Sequence, residues 1–509
     1  MTFRSILFAG HTPPDEGGAV SPPDCIHDLN VDQIIDTLVR GRDEYDLTPF
    51  FHCPLHDRDL IEYRQAVMQD LERPDVFRAV REFATGMREV RRRLQQAEDL
   101  RYPLQSRRWM LDAAHAYCRT VRALRDGLHE AEFTSDGLKQ FLAFLADYVE
   151  GEPFRREETE IDALYEELGE VHYAILIGDG GFDVRRYAGE PDYSAKVEQV
   201  FRKFKEAEAD GFAMEFKESV RMNHVEAKVL EFVARLHPGA FEHLAEFCDE
   251  YGGYQDATVK RFDREIQFYL AYIEHMGRHR RNGLHFCYPA MLEGKAGVHA
   301  SDTFDLALAD NLLQEKGRVV TNEFRLDGEE RVIVVSGPNQ GGKTTFARTV
   351  GQLHYLASLG FPVPGRDASL LLYDRLFTHF EKQESMENLR GKLEDDLYRI
   401  RRILESATSR SLIILNEIFH STTARDAEFL TTRIVDRIIA LDALCVCVTF
   451  IDEISRLGEA TVSMVATVVE DHPEQRTFRI VRRRSDGLAY AMSLAEKHGL
   501  TYRALQRRL

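Results

Sequence analysis

A mainly α-helical amino-terminal region followed by an α/β carboxy-terminal domain is the fold class that this 509-residue sequence predicts. Three observations carry the prediction. Apolar residues recur at alternating spacings of four and three as far as Met276, the mark of amphipathic helices. From Arg331 a short apolar run enters a glycine-rich loop and then a further amphipathic stretch. Downstream, a second apolar run ends in Asn416-Glu417.

Length sets the frame: a chain of this size exceeds one hydrophobic core, so two to four domains of roughly 100–200 residues each are expected. The seven cysteines are scattered, with no CxxC pair. No disulfide framework or zinc site follows from them, and Cys445 and Cys447 read as buried strand thiols. Sixty-six basic against 85 acidic residues leave a net charge of −19, which disfavours a protein that coats nucleic acid non-specifically but allows a local DNA-binding surface. No run reaches the roughly 18 apolar residues of a membrane span. The apolar stretch Ile6 to Ala9 is too short for a signal peptide, so the cytoplasm is the expected compartment.

Taken in order, residues 1–48 read as an extended lead-in, because residues 10–30 are rich in Pro, Gly and Asp. Val76, Val80, Phe83, Met87, Val90 and Leu94 then form an apolar seam along one long helix. Its basic tract Arg91-Arg92-Arg93 reads as a solvated face. A second helical stretch over 105–150 holds Trp109, the single tryptophan. Near Val171 the period changes: Val171–Ile177, a Gly-Asp-Gly-Gly turn and Phe182–Tyr187 predict a β-hairpin. Helical spacing returns with Val225, Val229, Phe232 and Leu236, and again with Phe262, Ile266, Tyr269, Ile273 and Met276. The tract GRHRRNGLHF (277–286) reads as cations at a helix carboxy terminus. Metal binding by His275, His279 and His285 is not expected, since no carboxylate or Cys joins them at ligand spacing.

The chemistry lies downstream of residue 331. The run Arg331–Ser336 predicts a buried parallel strand. It feeds into Gly337-Pro338-Asn339-Gln340-Gly341-Gly342-Lys343-Thr344-Thr345, which fits G-x-x-x-x-G-K-[ST], with a helix expected from about Thr345. Glycines let backbone N–H groups curl around phosphate oxygens, and the helix amino terminus adds partial positive charge. Lys343 is suited to the β- and γ-phosphates and the Thr344 hydroxyl to Mg²⁺. Ser411–Asn416 supplies the second strand, and Glu417 beyond it is placed to orient or deprotonate an attacking water. Asn416 stands where an Asp usually holds the Mg²⁺ shell. It can still accept a hydrogen bond from a metal-bound water, without charge. Leu444–Thr449 predicts a third strand, and Thr461–Val469 with Arg476–Arg482 two closing antiparallel strands.

These motifs resemble those of the MutS family. GPNQGGKTT is similar to the family's GPN-x-GGK-[ST]-T loop. Gly360–Pro364 and Asp374–Thr378 resemble the segment after its first ATPase helix. LIILNEIFHSTTARDA (412–427) resembles DEIGRGTST-x-x-DG, with Glu417, Ile418, Ser421, Thr422 and Asp426 in matching places, and SDGLAYAMSLAEKHGL resembles the family's tail. The likeness is specific over about 320–509. Over 50–320 it rests on Arg64-Gln65-Ala66-Val67 and a helix–hairpin–helix layout like the lever and clamp domains. It implies an α/β P-loop ABC-type ATPase domain over 301–509, preceded by a mainly α-helical lever-like domain over 49–300 with a small, partly β clamp-like insertion near 165–222. It further implies ATP and Mg²⁺ as cofactors, a homodimer through the ATPase domains, DNA as a partner, and a role in DNA repair or recombination.

Departures from the family bear on the activity expected. Only about fifty residues precede the lever-like region, too few for mismatch-reading and connector domains of ~100 residues each, so mismatch recognition is not expected. Phe450 replaces the family's switch His, and its trans-acting Ser has no clear counterpart near Gly391-Lys392-Leu393, Ser385 being distant. A nucleotide-gated dimeric scaffold with little or no hydrolysis is therefore the alternative to a DNA-acting ATPase.

Overall fold

The computed structural model describes residues 3–10, 20–178, 181–190, 222–250, 255–295, 297–380, 392–419, 422–469 and 472–484. Gly391, Ser385, Ser421 and the tail from Ser485 lie outside the described residues, as do the hairpin turn at 179–180 and most of the expected clamp-like insertion. The chain divides into two compact units. One comprises Pro74–Phe133 with Lys139–Asp263; the other comprises Phe3–Arg73, Thr134–Leu138 and the chain from Arg264.

The amino-terminal segment departs from the extended lead-in expected. Ile6, Leu7 and Phe8 are buried, as are Cys25, Ile26 and Leu29. Helix α1 (Val31–Val39) follows, its apolar Val31, Ile34, Ile35 and Leu38 sharing one buried face. The Pro/Gly content obscured a second, periodic signal. After α2 (Thr48–Phe51) comes α3 (Arg58–Leu71), capped by the Asp57 carboxylate accepting from the Asp59 and Leu60 N–H groups. Arg64 of α3 is fully buried, donating to the carbonyls of Leu7 and Leu359.

The helical unit contains α4 (Pro74–Asp99), α5 (Pro103–Glu130), most of α6 (Asp136–Glu150), and α7 (Glu152–Gly169). The predicted α4 seam is buried from Val76 to Val90, with Leu94 half-buried. The basic tract on α4 is not a bare solvated face: Arg91 pairs with Asp263, Arg92 with Glu89, and Arg93 with both Glu89 and the Asp112 carbonyl. Beyond α7 the hairpin forms, β1 (Tyr173–Gly178) antiparallel to β2 (Gly181–Arg186). Its apolar residues are largely outside, Ile177 being 88% exposed. On α8 (His224–Leu236) the buried residues are Ala227 and Val233, while Val225 of the predicted face is exposed. After α9 (Pro238–Glu250), α10 (Ala257–Arg280) passes from this unit into the other.

The second unit holds the mixed sheets. Short strands β3 (Phe286–Cys287), β4 (Ala290–Leu292), β5 (Val298–Thr303) and β6 (Asn322–Leu326) surround α11 (Leu306–Glu315) in sequence. The six-stranded sheet begins with β7 (Val332–Ser336), buried throughout, and α12 (Lys343–Ser358) follows it. Thus α12 starts at Lys343, ahead of the Thr345 expected. After β8 (Val363–Pro364) and β9 (Asp367–Leu371) come β10 (Leu376–Phe380), α13 (Lys392–Ser406), β11 (Leu412–Asn416), α14 (Ala424–Ala440), β12 (Leu444–Val448), β13 (Thr461–Val469) and β14 (His472–Arg482). Their order is β10-β11-β12-β7-β13-β14. The first four run parallel, and β13 also lies parallel to β7. Only the β13–β14 pair is antiparallel, so the expectation of two antiparallel closing strands holds for that pairing alone. Cys445 and Cys447 are buried on β12, and burial pushes both thiols up, Cys447 to about 12.

Helix α12 is buried almost all round, which makes its titratable His354 informative. His354 Nδ1 lies 2.8 Å from the Val350 carbonyl, and burial pulls its pKa down to about 4 from an ordinary 6.5. A folded-state pKa below the unfolded one gives stability that is complete above pH 6.5 and lost as pH falls towards 4. The loss should reach roughly 3 kcal/mol. Denaturant midpoints of wild type and His354→Gln between pH 7 and 4 measure it: the wild type should lose that much more than the variant.

Candidate functional site

The loop from Gly337 to Thr345 joins the carboxyl end of β7 to the amino terminus of α12. Its conformation depends on glycine at two points. Gly337 has φ +117°, and a Cβ there would lie 3.0 Å from the Ala466 backbone. Gly342, capping α12, has φ +89° and passes Phe478, whose carbonyl would lie 3.7 Å from an added Cβ. The result presents backbone N–H groups at a helix amino terminus, an arrangement that favours an anionic, phosphate-like group.

Lys343 is 4% exposed. Its ammonium donates to the carbonyls of Gly337 and Pro338, both at 3.1 Å, and to Asn339 Oδ1 at 3.5 Å. Glu417 Oε1 lies 3.7 Å away. Burial lowers the Lys343 pKa, and Glu417 partly opposes that fall. The Thr344 hydroxyl donates to Asn416 Oδ1 at 3.0 Å. Asn416 ends β11 and is buried; Glu417 follows at φ +52°, its N–H held by the Val448 carbonyl at 2.9 Å. The turn thus swings Glu417 off the strand axis towards the loop. Lys343, Thr344, Asn416 and Glu417 converge although β12 separates β7 from β11. Phe450, just past β12, is 48% exposed.

Two further residues border the loop, and a third braces one of them, without having been marked by sequence reasoning. Arg476 Nε donates to the Asn339 carbonyl at 3.2 Å. Phe478 adopts φ +58° beside Gly342. Asn322 fixes that stretch of β14, donating to the Phe478 carbonyl at 3.2 Å and accepting from the Ile480 N–H at 2.7 Å. Only the β propensity of residues 476–482 was visible in sequence; the left-handed turn at a phenylalanine had no local signal.

A second cluster corrects an expectation. Asp310 of α11 meets the pair on α10: its Oδ1 lies 2.7 Å from His275 Nε2 and 2.8 Å from His279 Nε2. A carboxylate therefore does join these histidines, supplied by tertiary structure; His285 is not part of the trio. Burial would push Asp310 up, but the two imidazoles hold it down at about 2, while burial lowers His275.

Among the described residues, no helix is long and apolar enough to cross a membrane. Residues 333–507 match the family model of MutS domain V, and residues 56–274 match that of the MutS2 N-terminal domain. The chain is 23% identical over 295 residues to the DNA mismatch repair protein MutS of Thermotoga petrophila, covering 56% of this chain and 35% of that protein. It is 30% identical over 226 residues to the protein of the same name from Chlorobium phaeovibrioides, covering 44% and 26%. Against the Endonuclease MutS2 of Gemmatimonas aurantiaca it is 29% identical over 202 residues, covering 38% and 25%. The chain thus spans only a quarter to a third of the length of these relatives. With a MutS domain V match over the loop-bearing sheet and a MutS2 N-terminal match over the helices before it, the chain belongs to the MutS family.

Proposed function

We propose that the second unit is a P-loop ABC-type ATPase domain, and that the chain binds ATP with Mg²⁺ and hydrolyses it in the service of DNA repair or recombination. The convergence of Thr344 with Asn416 at 3.0 Å, beside Lys343 and Glu417 at 3.7 Å, carries this reading. Residues fit each part of the ligand. The loop from Gly337 to Thr345 surrounds the phosphates, and Lys343 leaves the carbonyls of Gly337 and Pro338 for the β- and γ-phosphate oxygens. Thr344 and Asn416, already joined by a hydrogen bond, would hold the Mg²⁺ ion, Thr344 through its hydroxyl and Asn416 through a bridging water. When bound, Mg²⁺ neutralises charge developing on the phosphate oxygens. Glu417 orients the attacking water and accepts its proton on a carboxylate oxygen. In this reading two ATPase domains pair in a homodimer, and nucleotide turnover moves the lever-like helices around DNA.

Two observations favour a second reading, a nucleotide-gated scaffold with little or no hydrolysis. The residue bonded to Thr344 is a neutral amide, and position 450 is an exposed phenylalanine that cannot relay a proton. ATP hydrolysis by the purified chain, with and without branched and linear duplex DNA, separates the two. The ATPase reading expects steady turnover that DNA changes at least severalfold, with DNA binding that weakens steeply in salt. Bound ATP with no turnover in any mixture would establish the scaffold.

A further inference from the structure

We propose that His275, His279 and Asp310 form a binding site for one divalent transition metal ion of the zinc class, remote from the glycine loop in sequence and chemistry. The two histidines stand one helical turn apart on α10, so both imidazoles project from one face. Asp310 comes from α11, and the three potential ligand atoms lie within 4.8 Å of one another. Tetrahedral bonds of ~2.0–2.1 Å place ligand atoms roughly 3.3 Å apart. The observed Nε2–Oδ1 separations of 2.7 and 2.8 Å need open only by about half an ångström to admit an ion.

Hydrogen bonding alone satisfies this cluster poorly. His275 and His279 are 0% and 1% exposed. If both neutral imidazoles donate through Nε2 to the one oxygen, each Nδ1 is an acceptor. Yet His275 Nδ1, His279 Nδ1 and Asp310 Oδ2 are all buried without a hydrogen-bond partner. Three orphaned acceptor atoms, one of them on the half-buried Asp310 carboxylate itself, carry a desolvation penalty. An ion taking both Nε2 lone pairs and the Asp310 carboxylate relieves the crowding of two imidazoles on one oxygen, each ring proton then sitting on Nδ1. Two nitrogens and one carboxylate are the donors that zinc and its neighbours prefer over Mg²⁺ or Ca²⁺.

Access is provided on one side. A cavity of about 540 Å³ is lined by His279, His285, Asp302, Ala309 and Lys316, among others. It abuts the trio at His279, the side from which an ion would enter. Bound there, the ion ties the carboxy-terminal end of α10 to α11.

The test uses the full chain, stripped of metal and held in excess Mg²⁺ to fill oxygen-only sites. Co²⁺ titration should give one equivalent of a visible d–d band of low-symmetry coordination, displaced by Zn²⁺, and Zn²⁺ should raise Tm. Asp310→Asn and His279→Gln should each weaken binding about 100-fold or more. Equal Co²⁺ binding by wild type and a His275→Gln/His279→Gln double variant would overturn the assignment, as would the absence of both band and Tm shift. Should the variants not fold, imidazole ¹⁵N spectra of the wild type decide. Two Nε2–H groups that vanish on adding Zn²⁺ support the site, and two that persist refute it.

Discussion

Glu417→Ala should abolish steady-state ATP hydrolysis while leaving ATP bound. General-base participation is worth about 10²–10⁴ in rate, so turnover should fall by that factor. The carboxylate is well placed for the role without carrying the fold. It stands after β11 in a left-handed turn at φ +52°, tethered through its own backbone N–H to Val448, and alanine keeps that tether. Removing the carboxylate also removes the anion 3.7 Å from the Lys343 ammonium, which frees the lysine for phosphate. Affinity for ATP should therefore be unchanged or somewhat tighter. Single-turnover mixing with labelled ATP, followed by filter retention, reads both quantities. Retained ATP with slow release is the expected result; hydrolysis at the wild-type rate would remove Glu417 from the chemistry.

Lys343→Ala should act on the opposite quantity. A charge-assisted hydrogen bond contributes about 1.5–3 kcal/mol, so losing Lys343 should weaken ATP binding roughly 10–100-fold. Stability without nucleotide should change little. The ammonium is buried, burial lowers its pKa, and its partners are loop carbonyls that water can serve once the side chain is gone. Thermal unfolding with and without ATP separates these effects. ATP at 100 times Kd stabilises a folded protein by about 2.7 kcal/mol, and most of that increment should vanish in the variant. An undiminished ATP-dependent rise in Tm would show that the nucleotide does not sit on this loop.

The strand–loop–helix at 332–358 was legible because its signals are local: a continuous apolar run, clustered glycines, then helical spacing. The seams of α4 and α10 were legible for the same reason, since periodicity alone reports which face is buried. Other features depended on partners far along the chain. Residues 1–48 look extended by composition, yet Ile6, Leu7 and Phe8 are covered by the core, and Glu265 accepts from the Ser5 hydroxyl at 2.8 Å. Asp310 could not be joined to His275 and His279 from spacing, because the connection runs through β3, β4 and β5 before α11. The Thr344–Asn416 contact could be anticipated from the motif order, but Phe478 could not. A phenylalanine in a β-prone run predicts extended backbone, and its φ of +58° is imposed by the loop and Asn322 around it.

The placement of β7 has a consequence for biosynthesis. Its ladder partners are β12 and β13, both encoded more than a hundred residues later, so the strand that carries the glycine loop leaves the ribosome long before either neighbour exists. Closing those loops is entropically slow, and unpaired apolar strand edges are exposed meanwhile. Helices α4 and α5, adjacent in sequence, face no such delay. Nascent chains of this protein are therefore most vulnerable to aggregation and proteolysis between synthesis of residue 336 and residue 469. Any chaperone that shields apolar strands would have to act within that interval.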